Sequence, residues 1–288
     1  MRMTLASRTF DFDREVAVMA ILNRTPDSFY DGGRTFTLEA AVDHALSQVA
    51  EGADILDVGG VKAGPGEEVS EAVELDRIVP FVQAFRTRSD AVLSIDTYRP
   101  AVARAALQAG ADIINDTSGL ADPGLAGVVA DFPDAGLVLM HSGGEVRTRP
   151  YRNHYLPDVT TSISATLERL AVQAQAAGVA ADKLIIDPGH DFRKNTLQSL
   201  EVTRRIGELC ALGYPVLVAL SNKDFIGESL DLPIDQRVEA SLGAAVAAIM
   251  LGARLVRVHE TQATKRAVMM TEVIMGWRPP ARVWRGLE

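Results

Sequence analysis

Residues 91–117 read AVLSIDTYRPAVARAALQAGADIINDT and contain one complete strand–helix–strand unit. The apolar run from Ala91 to Ile95 stops at Asp96. Pro100 suits the first turn of a helix, where its missing N–H has no intrahelical partner. Val102, Ala105, Ala106 and Ala109 give that helix an inner face. Gly110 ends it, a second apolar run follows, and Asn115 stops that run. Two parallel strands joined by a helix are the repeating element of α/β proteins.

Working outward, the pattern returns along the whole chain. Eight short apolar runs occur: VAVMAILN (16–23), ADILDVGG (53–60), AVLSIDT (91–97), ADIINDT (111–117), GLVLMH (136–141), KLIIDPG (183–189), PVLVALS (215–221) and ARLVRVH (253–259). Their polar stops are Asn23, Asp57, Asp96, Asn115, His141, Asp187, Ser221 and His259, with Arg257 just before the last. Three helices end in Gly-Ala before the next run (EGADILD, AGADIIND, LGARLVRV), so one supersecondary unit is reused. Buried parallel strands are continuously apolar, and a polar residue at each carboxyl end therefore needs a reason. In a closed parallel barrel all those ends open onto one rim, where the active sites of that fold lie.

Size and composition agree with this reading. A chain of 288 residues and 30.9 kDa suits a single (β/α)8 TIM barrel. Residues 1–288 read as one domain, with a core over about 16–276 and a C-terminal tail over 277–288. The competing open doubly wound sheet carries GxGxxG after its first strand, and that place holds NRTPDSFYDGG instead. The segment TFDFDREV (9–16) predicts a short N-terminal hairpin covering the barrel's bottom. A net charge of −9 argues against a nucleic-acid or anionic-membrane surface. The lone cysteine, Cys210, excludes an intrachain disulfide and reads as a small core residue. No leader or membrane-length apolar run is visible, which points to the cytoplasm.

At the rim, Asp96, Asn115 and Asp187 end the third, fourth and sixth strands, and Lys223 follows the seventh. A carboxylate accepts, an amide does both, and an ammonium donates. Together they match a flat heterocycle with an amino-pyrimidinone edge. The plainer alternative is that each ties down a loop. Arg257 and His259 are two apart and face one side of the last strand. With Lys223 they form a candidate phosphate patch; for Arg257 the alternative is a salt bridge to a neighbouring carboxylate. His141 is expected to shape the pocket and His154 to lie on a loop surface. No GxSxG, reactive-cysteine context or zinc spacing occurs.

At these residues the chain resembles dihydropteroate synthase, over about Val16 to His259. The motifs that carry the resemblance are MAILNRTPDSFYDGG, SIDTYRPAVARAALQAGADIINDTSG, LIIDPGHDF, LVALSNKDFIG and RVHE. The resemblance implies a (β/α)8 barrel, commonly a homodimer. It also implies displacement of pyrophosphate from 6-hydroxymethyl-7,8-dihydropterin pyrophosphate by the amine of p-aminobenzoate. Asp96, Asn115, Asp187 and Lys223 would hold the pterin. Arg257, His259 and Asn23 would hold the phosphates, and Asn23 would help bind Mg²⁺. Lys223 and Arg257 are the candidate catalytic residues. Cleaving the C–O bond leaves a delocalised pterin cation and an anionic leaving group, which negative groups and Arg, His and Mg²⁺ would respectively stabilise.

The departures fall above that floor. After the second strand the family has D-V-G-G-E-S-T-R-P-G, and here Val61, Lys62, Ala63 and Gly64 stand at the Glu, Ser, Thr and Arg places. A glycine cannot replace a guanidinium's donors. Arg24 and Tyr30 alter the first loop, and Asn222 replaces the arginine of S-R-K. The strand 6 loop G-x-G-F-G-K has become Gly189-His190-Asp191-Phe192-Arg193-Lys194. The expectation is a protein that keeps pterin recognition and has weak or no synthase activity. The alternatives are a working synthase in which Lys62, Arg24 or Arg193 covers the missing cations, a non-catalytic pterin-binding module, and a corrinoid-type methyl-transfer domain.

Overall fold

The computed structural model describes residues 1–23, 37–61, 69–144 and 154–285. Arg24, Tyr30, Lys62, Ala63 and Gly64 lie outside them. Eight parallel strands form the sheet: β3 (Ala17–Asn23), β4 (Ile55–Gly59), β5 (Val92–Asp96), β6 (Ile113–Asp116), β7 (Gly136–Met140), β8 (Leu184–Asp187), β9 (Leu217–Val218) and β10 (Leu255–Val258). Their order is β8-β7-β6-β5-β4-β3-β10-β9, and a parallel bridge between Ile186 and Val216 joins the two edges. The sheet thus closes into the expected barrel.

Helices follow each strand: α1 (Leu38–Ala50), α2 (Glu71–Arg86), α3 (Pro100–Ala109), α4 (Gly124–Ala130), α5 (Val159–Ala176), α6 (Thr196–Arg204), α7 (Ile206–Cys210), α8 (Asp224–Leu230), α9 (Val238–Met250) and α10 (Thr261–Ile274). Their starts are written locally. Thr37, Ser70 and Asp158 accept from backbone N–H groups at the heads of α1, α2 and α5, and Asn195 with Gln198 forms a reciprocal capping box on α6. The Gly-Ala junctions behave as read: Gly52, Gly110 and Gly252 all take positive φ where the chain leaves a helix for the next strand. The buried face of α3 is Val102, Ala103, Ala106 and Leu107. That is a rotation away from the expected Ala105 and Ala109, because α3 also packs beside α2 and α4.

Two cores result from strand alternation. Outward residues such as Val18, Ala20, Leu56, Leu93, Ile114, Leu139 and Val256 pack against the helices. Inward residues Ala17, Met19, Ile55, Val92, Ile113, Val138, Ile185, Leu217 and Leu255 fill the lower barrel together with Met3, Leu5, Phe10 and Phe12. Those last four come from an antiparallel hairpin, β1 (Arg2–Leu5) and β2 (Arg8–Asp11). The plug therefore starts earlier than the 9–16 segment suggested. RMTL alternates inward at Met3 and Leu5, and β2 continues the alternation through Phe10 to a stacked Phe12, 5.5 Å away. In the tail, Trp277 is half-buried under Arg254, while Trp284 is exposed.

Candidate pterin site

Following the inward face upward from the apolar layer gives the site. Period two carries Met19 to Asn23, Ile55 to Asp57 and Gly59, Val92 to Ser94 and Asp96, Ile113 to Asn115, Ile185 to Asp187, and Leu255 to Arg257. Register aligns them: Asn23, Gly59, Asp96 and Asn115 form one row across four strands, and Asp57 pairs with Ser94 two residues below. All the strand-borne candidates therefore face the barrel interior at its carboxyl end.

The centre is Asp57, which stands in the middle of β4 rather than at a strand end. It is fully buried and accepts from three donors: Ser94 Oγ at 2.6 Å, Asn115 Nδ2 at 3.1 Å and Arg257 Nε at 2.6 Å. Arg257 Nη2 lies 3.3 Å from Asp96 Oδ2, and Thr117 Oγ1 donates to Asp96 at 3.3 Å. Burial pushes Asp96 up to about 7 against the pull of Arg257, and the neighbouring Asp57 adds to the rise. Burial opposes the Arg257 charge, but Asp57 and Asp96 outweigh it and raise its pKa. Asp187 is also raised by burial, against its bond from Gly189 N at 2.7 Å and the charges of Lys223, Arg257 and Lys194. With Asp57 holding its amide, Asn115 is left with Oδ1 buried and unpaired, an acceptor open to a donor.

The expected cationic patch takes a different form. Arg257 is clamped between two carboxylates, the salt-bridge alternative. Burial holds His259 down at about 4, so its imidazole is neutral. His259 Nδ1 is 3.0 Å from Ser221 Oγ, which donates to Glu260 Oε2 at 3.1 Å. Asn222, at φ 59°, donates Nδ2 to Glu260 Oε1 at 3.1 Å. Lys223 Nζ donates to the His190 carbonyl at 2.7 Å and lies 4.7 Å over the Phe192 ring.

The loop after β8, which lacks two of the family's glycines, is strapped down by Asp191 and Lys194. Asp191 and Arg193 keep left-handed φ of 64° and 53°, where a side chain is strained by about 1–2 kcal/mol. Asp191 Oδ2 accepts from Asp224 N at 2.7 Å, capping α8 directly after Lys223. The Arg193 guanidinium lies against Gly144 of the β7 loop. Beneath them Lys194 is wholly buried, with Nζ 2.9 Å from each of His141 Nδ1, the Gly189 carbonyl and the Phe192 carbonyl. Burial brings its pKa down to about 7, with Asp187 and Asp191 offsetting part of the fall. His141 is held neutral at about 2 by burial and by Lys194. It therefore shapes the floor through Lys194, while His154 is exposed. Cys210 is half-buried against Gly252.

Known proteins share this fold and much of this sequence. The family described as pterin binding enzyme matches residues 19–259, from β3 to the end of β10. The chain belongs to the pterin-binding enzyme family. Inactive dihydropteroate synthase 2 of Mycobacterium leprae is 48% identical, with all of both chains covered. The dihydropteroate synthase of Yersinia pestis, solved with a sulfonamide drug, superposes with a TM-score of 0.90 at 37% identity, covering 96% of this chain and 100% of that one. The synthase of Xanthomonas albilineans in complex with 7,8-dihydropteroate gives 0.83 at 39% identity, covering 96% and 99%.

Proposed function

We propose that the protein binds a pterin at the carboxyl-terminal mouth of its barrel and that its synthase turnover is weak or lost. One observation carries this reading: four inward-facing polar residues on β4, β5, β6 and β10, Asp57, Asp96, Asn115 and Arg257, are linked by hydrogen bonds and ion pairs and leave an acceptor, Asn115 Oδ1, buried and unpaired. Asp96 and Asp187 accept from the ring N–H and amino groups, Asn115 pairs with adjacent nitrogens, and Lys223 reaches a carbonyl or ring nitrogen. A matched polar edge in a dry site rejects other heterocycles, because a wrong ligand leaves buried groups unpaired. The similarity to a relative named inactive supports the loss of turnover. So does the engagement of Arg257 and Lys223, the candidate catalytic cations, by the chain's own groups.

Asn23 is suited to a magnesium ion only in part. Among the described residues no cluster of three metal-ligating side chains exists, and Asn23 offers one amide oxygen beside Gly59 and Asp96. Mg²⁺ takes several waters and phosphate oxygens, so it would arrive with a diphosphate and neutralise it there, with Arg257 and His259 on the other side. A p-aminobenzoate partner would sit above the pterin.

The whole chain acts as one domain in the cytoplasm. Among the described residues, no helix is long and apolar enough to cross a membrane. A homodimer is supported by an apolar outer surface: α9 carries a single charged residue, Glu239, and exposes Gly243, Ala247 and Met250. The adjacent α10 exposes Met270 and Ile274. The decisive experiment combines complementation of a strain lacking its own synthase with a pyrophosphate-release assay using p-aminobenzoate. No growth and no release are expected; release at an ordinary enzymatic rate, on the order of 10 per second, overturns the loss of turnover.

A further inference from the structure

We propose that Asp191 is a positioning residue: it fixes the start of α8 so that the Lys223 ammonium is delivered to the pterin edge. The role rests on the pterin reading above and deepens it.

In G-x-G-F-G-K the place of Asp191 belongs to a glycine, which takes a left-handed φ of 64° freely. This chain keeps that backbone conformation and puts a strained side chain on it. The carboxylate does what a glycine cannot. Buried at 3% exposure, it ties three segments together. Asp191 N donates to Ser199 Oγ of α6 at 3.3 Å, and that hydroxyl donates back to Oδ1 at 3.4 Å. The other oxygen, Oδ2, accepts from Asp224 N, the first residue of α8, at 2.7 Å.

Lys223 stands at the N-cap of α8 and makes no side-chain cap bond there. The first N–H of the helix is therefore satisfied from outside, by Asp191. The flanking residues of the same loop hold the other end of Lys223: the His190 carbonyl accepts from Nζ at 2.7 Å, and the Phe192 ring centre lies 4.7 Å from it. On the carbonyl side, Arg237 Nη1 donates to Asn222 O at 3.1 Å and Lys223 O at 3.3 Å. The backbone at Lys223 is thus gripped from both sides, and its ammonium turns on a fixed base. When a pterin replaces the His190 carbonyl as acceptor, only side-chain torsions need change. Backbone freedom that binding would otherwise have to freeze is already removed.

The test is calorimetry of 6-hydroxymethyl-7,8-dihydropterin on the wild type, Asp191→Gly, Asp191→Asn, Lys223→Met and the double variant Asp191→Gly with Lys223→Met. Asp191→Gly restores the family's residue and relieves the strain, so a strained loop cannot explain its loss. It is expected to bind about tenfold more weakly, the scale of one charge-assisted hydrogen bond. Asparagine keeps a capping oxygen and tolerates left-handed φ, so Asp191→Asn is expected to stay within about twofold of the wild type. In Lys223→Met, where Asp96, Asn115 and Asp187 still hold the ligand, adding Asp191→Gly is expected to change affinity by less than about twofold. A general loosening of the loop, or the Asp191 charge acting through Lys194, would instead weaken binding equally with and without Lys223. Wild-type affinity in Asp191→Gly, no recovery in Asp191→Asn, or an equal further loss in the double variant each overturns the positioning role and leaves the pterin reading standing. Binding by none of the proteins, wild type included, overturns the pterin reading and this role with it.

Discussion

Replacing Asp57 with asparagine removes one negative charge from the centre of the site while keeping its shape. In the wild type, Oδ1 takes the Ser94 hydroxyl, and Oδ2 takes Asn115 Nδ2 and Arg257 Nε. An asparagine can place its oxygen toward Asn115 and Arg257 and its NH₂ toward Ser94, whose hydroxyl rotates to accept. Most of the hydrogen bonds survive, and what is lost is the charge opposite Arg257. Removing one member of a buried ion pair costs about 3–5 kcal/mol. Asp96 still lies 3.3 Å from Arg257, which places the expected loss near the lower end, about 3 kcal/mol. Asp57 also helps hold the Asp96 pKa up at about 7, so in Asp57→Asn the Asp96 carboxyl should ionise at lower pH. Equilibrium urea unfolding reads the first effect, and ¹³C carboxyl NMR across pH 4–8 reads the second. A stability loss under about 1 kcal/mol, or an unmoved Asp96 midpoint, would refute the view that Asp57 organises the site.

Pterin affinity should rise about tenfold from pH 6 to pH 8. Asp96 is protonated below about 7, and only its carboxylate accepts from the pterin edge; a flat profile in the wild type, or a retained slope in Asp96→Asn, would contradict this. The same raised pKa contributes folding stability that is fully present below about 4 and is lost as pH climbs toward 7. Lys194 titrates in the opposite sense. Its native pKa of about 7 lies below the ordinary 10.5, so between those values the unfolded chain holds the extra proton and stability rises with pH. Relative to Lys194→Met, the wild type should gain about 1.4 kcal/mol per pH unit above 7; parallel urea midpoints at pH 7 and 9 would exclude that. Phe10→Ala, at the centre of the hairpin plug, should cost about 3–5 kcal/mol, and a loss below 1 kcal/mol would show that the plug does not support the barrel. Met250→Asp combined with Ile274→Asp should yield a monomer by analytical ultracentrifugation, and an unchanged species would relocate the proposed dimer contact.

The barrel was readable because each unit states its own boundaries: a run, a polar stop, a helix start and a Gly-Ala exit. The rim was readable for the same reason, since Asp96, Asn115 and Asp187 stand where apolar runs end. Asp57, by contrast, looks in the sequence like one more polar stop. The signal that finds it is the two-residue period from Ile55 through Asp57 to Gly59, which puts it on the same inward face as Ser94 and Asp96. Lys194 gave no local sign, because its burial depends on β7 and the β8 loop meeting over it. For Arg257 the sequence allows both ligand binding and a salt bridge, and only the register between β10, β3 and β4 brings it between two carboxylates. The hairpin was displaced by a few residues because TFDFD displays two phenylalanines, while the alternating RMTL before it is short and mixed.

The most direct test of the pterin floor is a fluorescence titration of the protein with 6-hydroxymethyl-7,8-dihydropterin, run beside Asp187→Asn. The account predicts saturation at one pterin per chain and affinity at least about tenfold weaker in the variant, the loss of one charged hydrogen bond. Absence of saturable binding, or equal affinity in the two proteins, would contradict it.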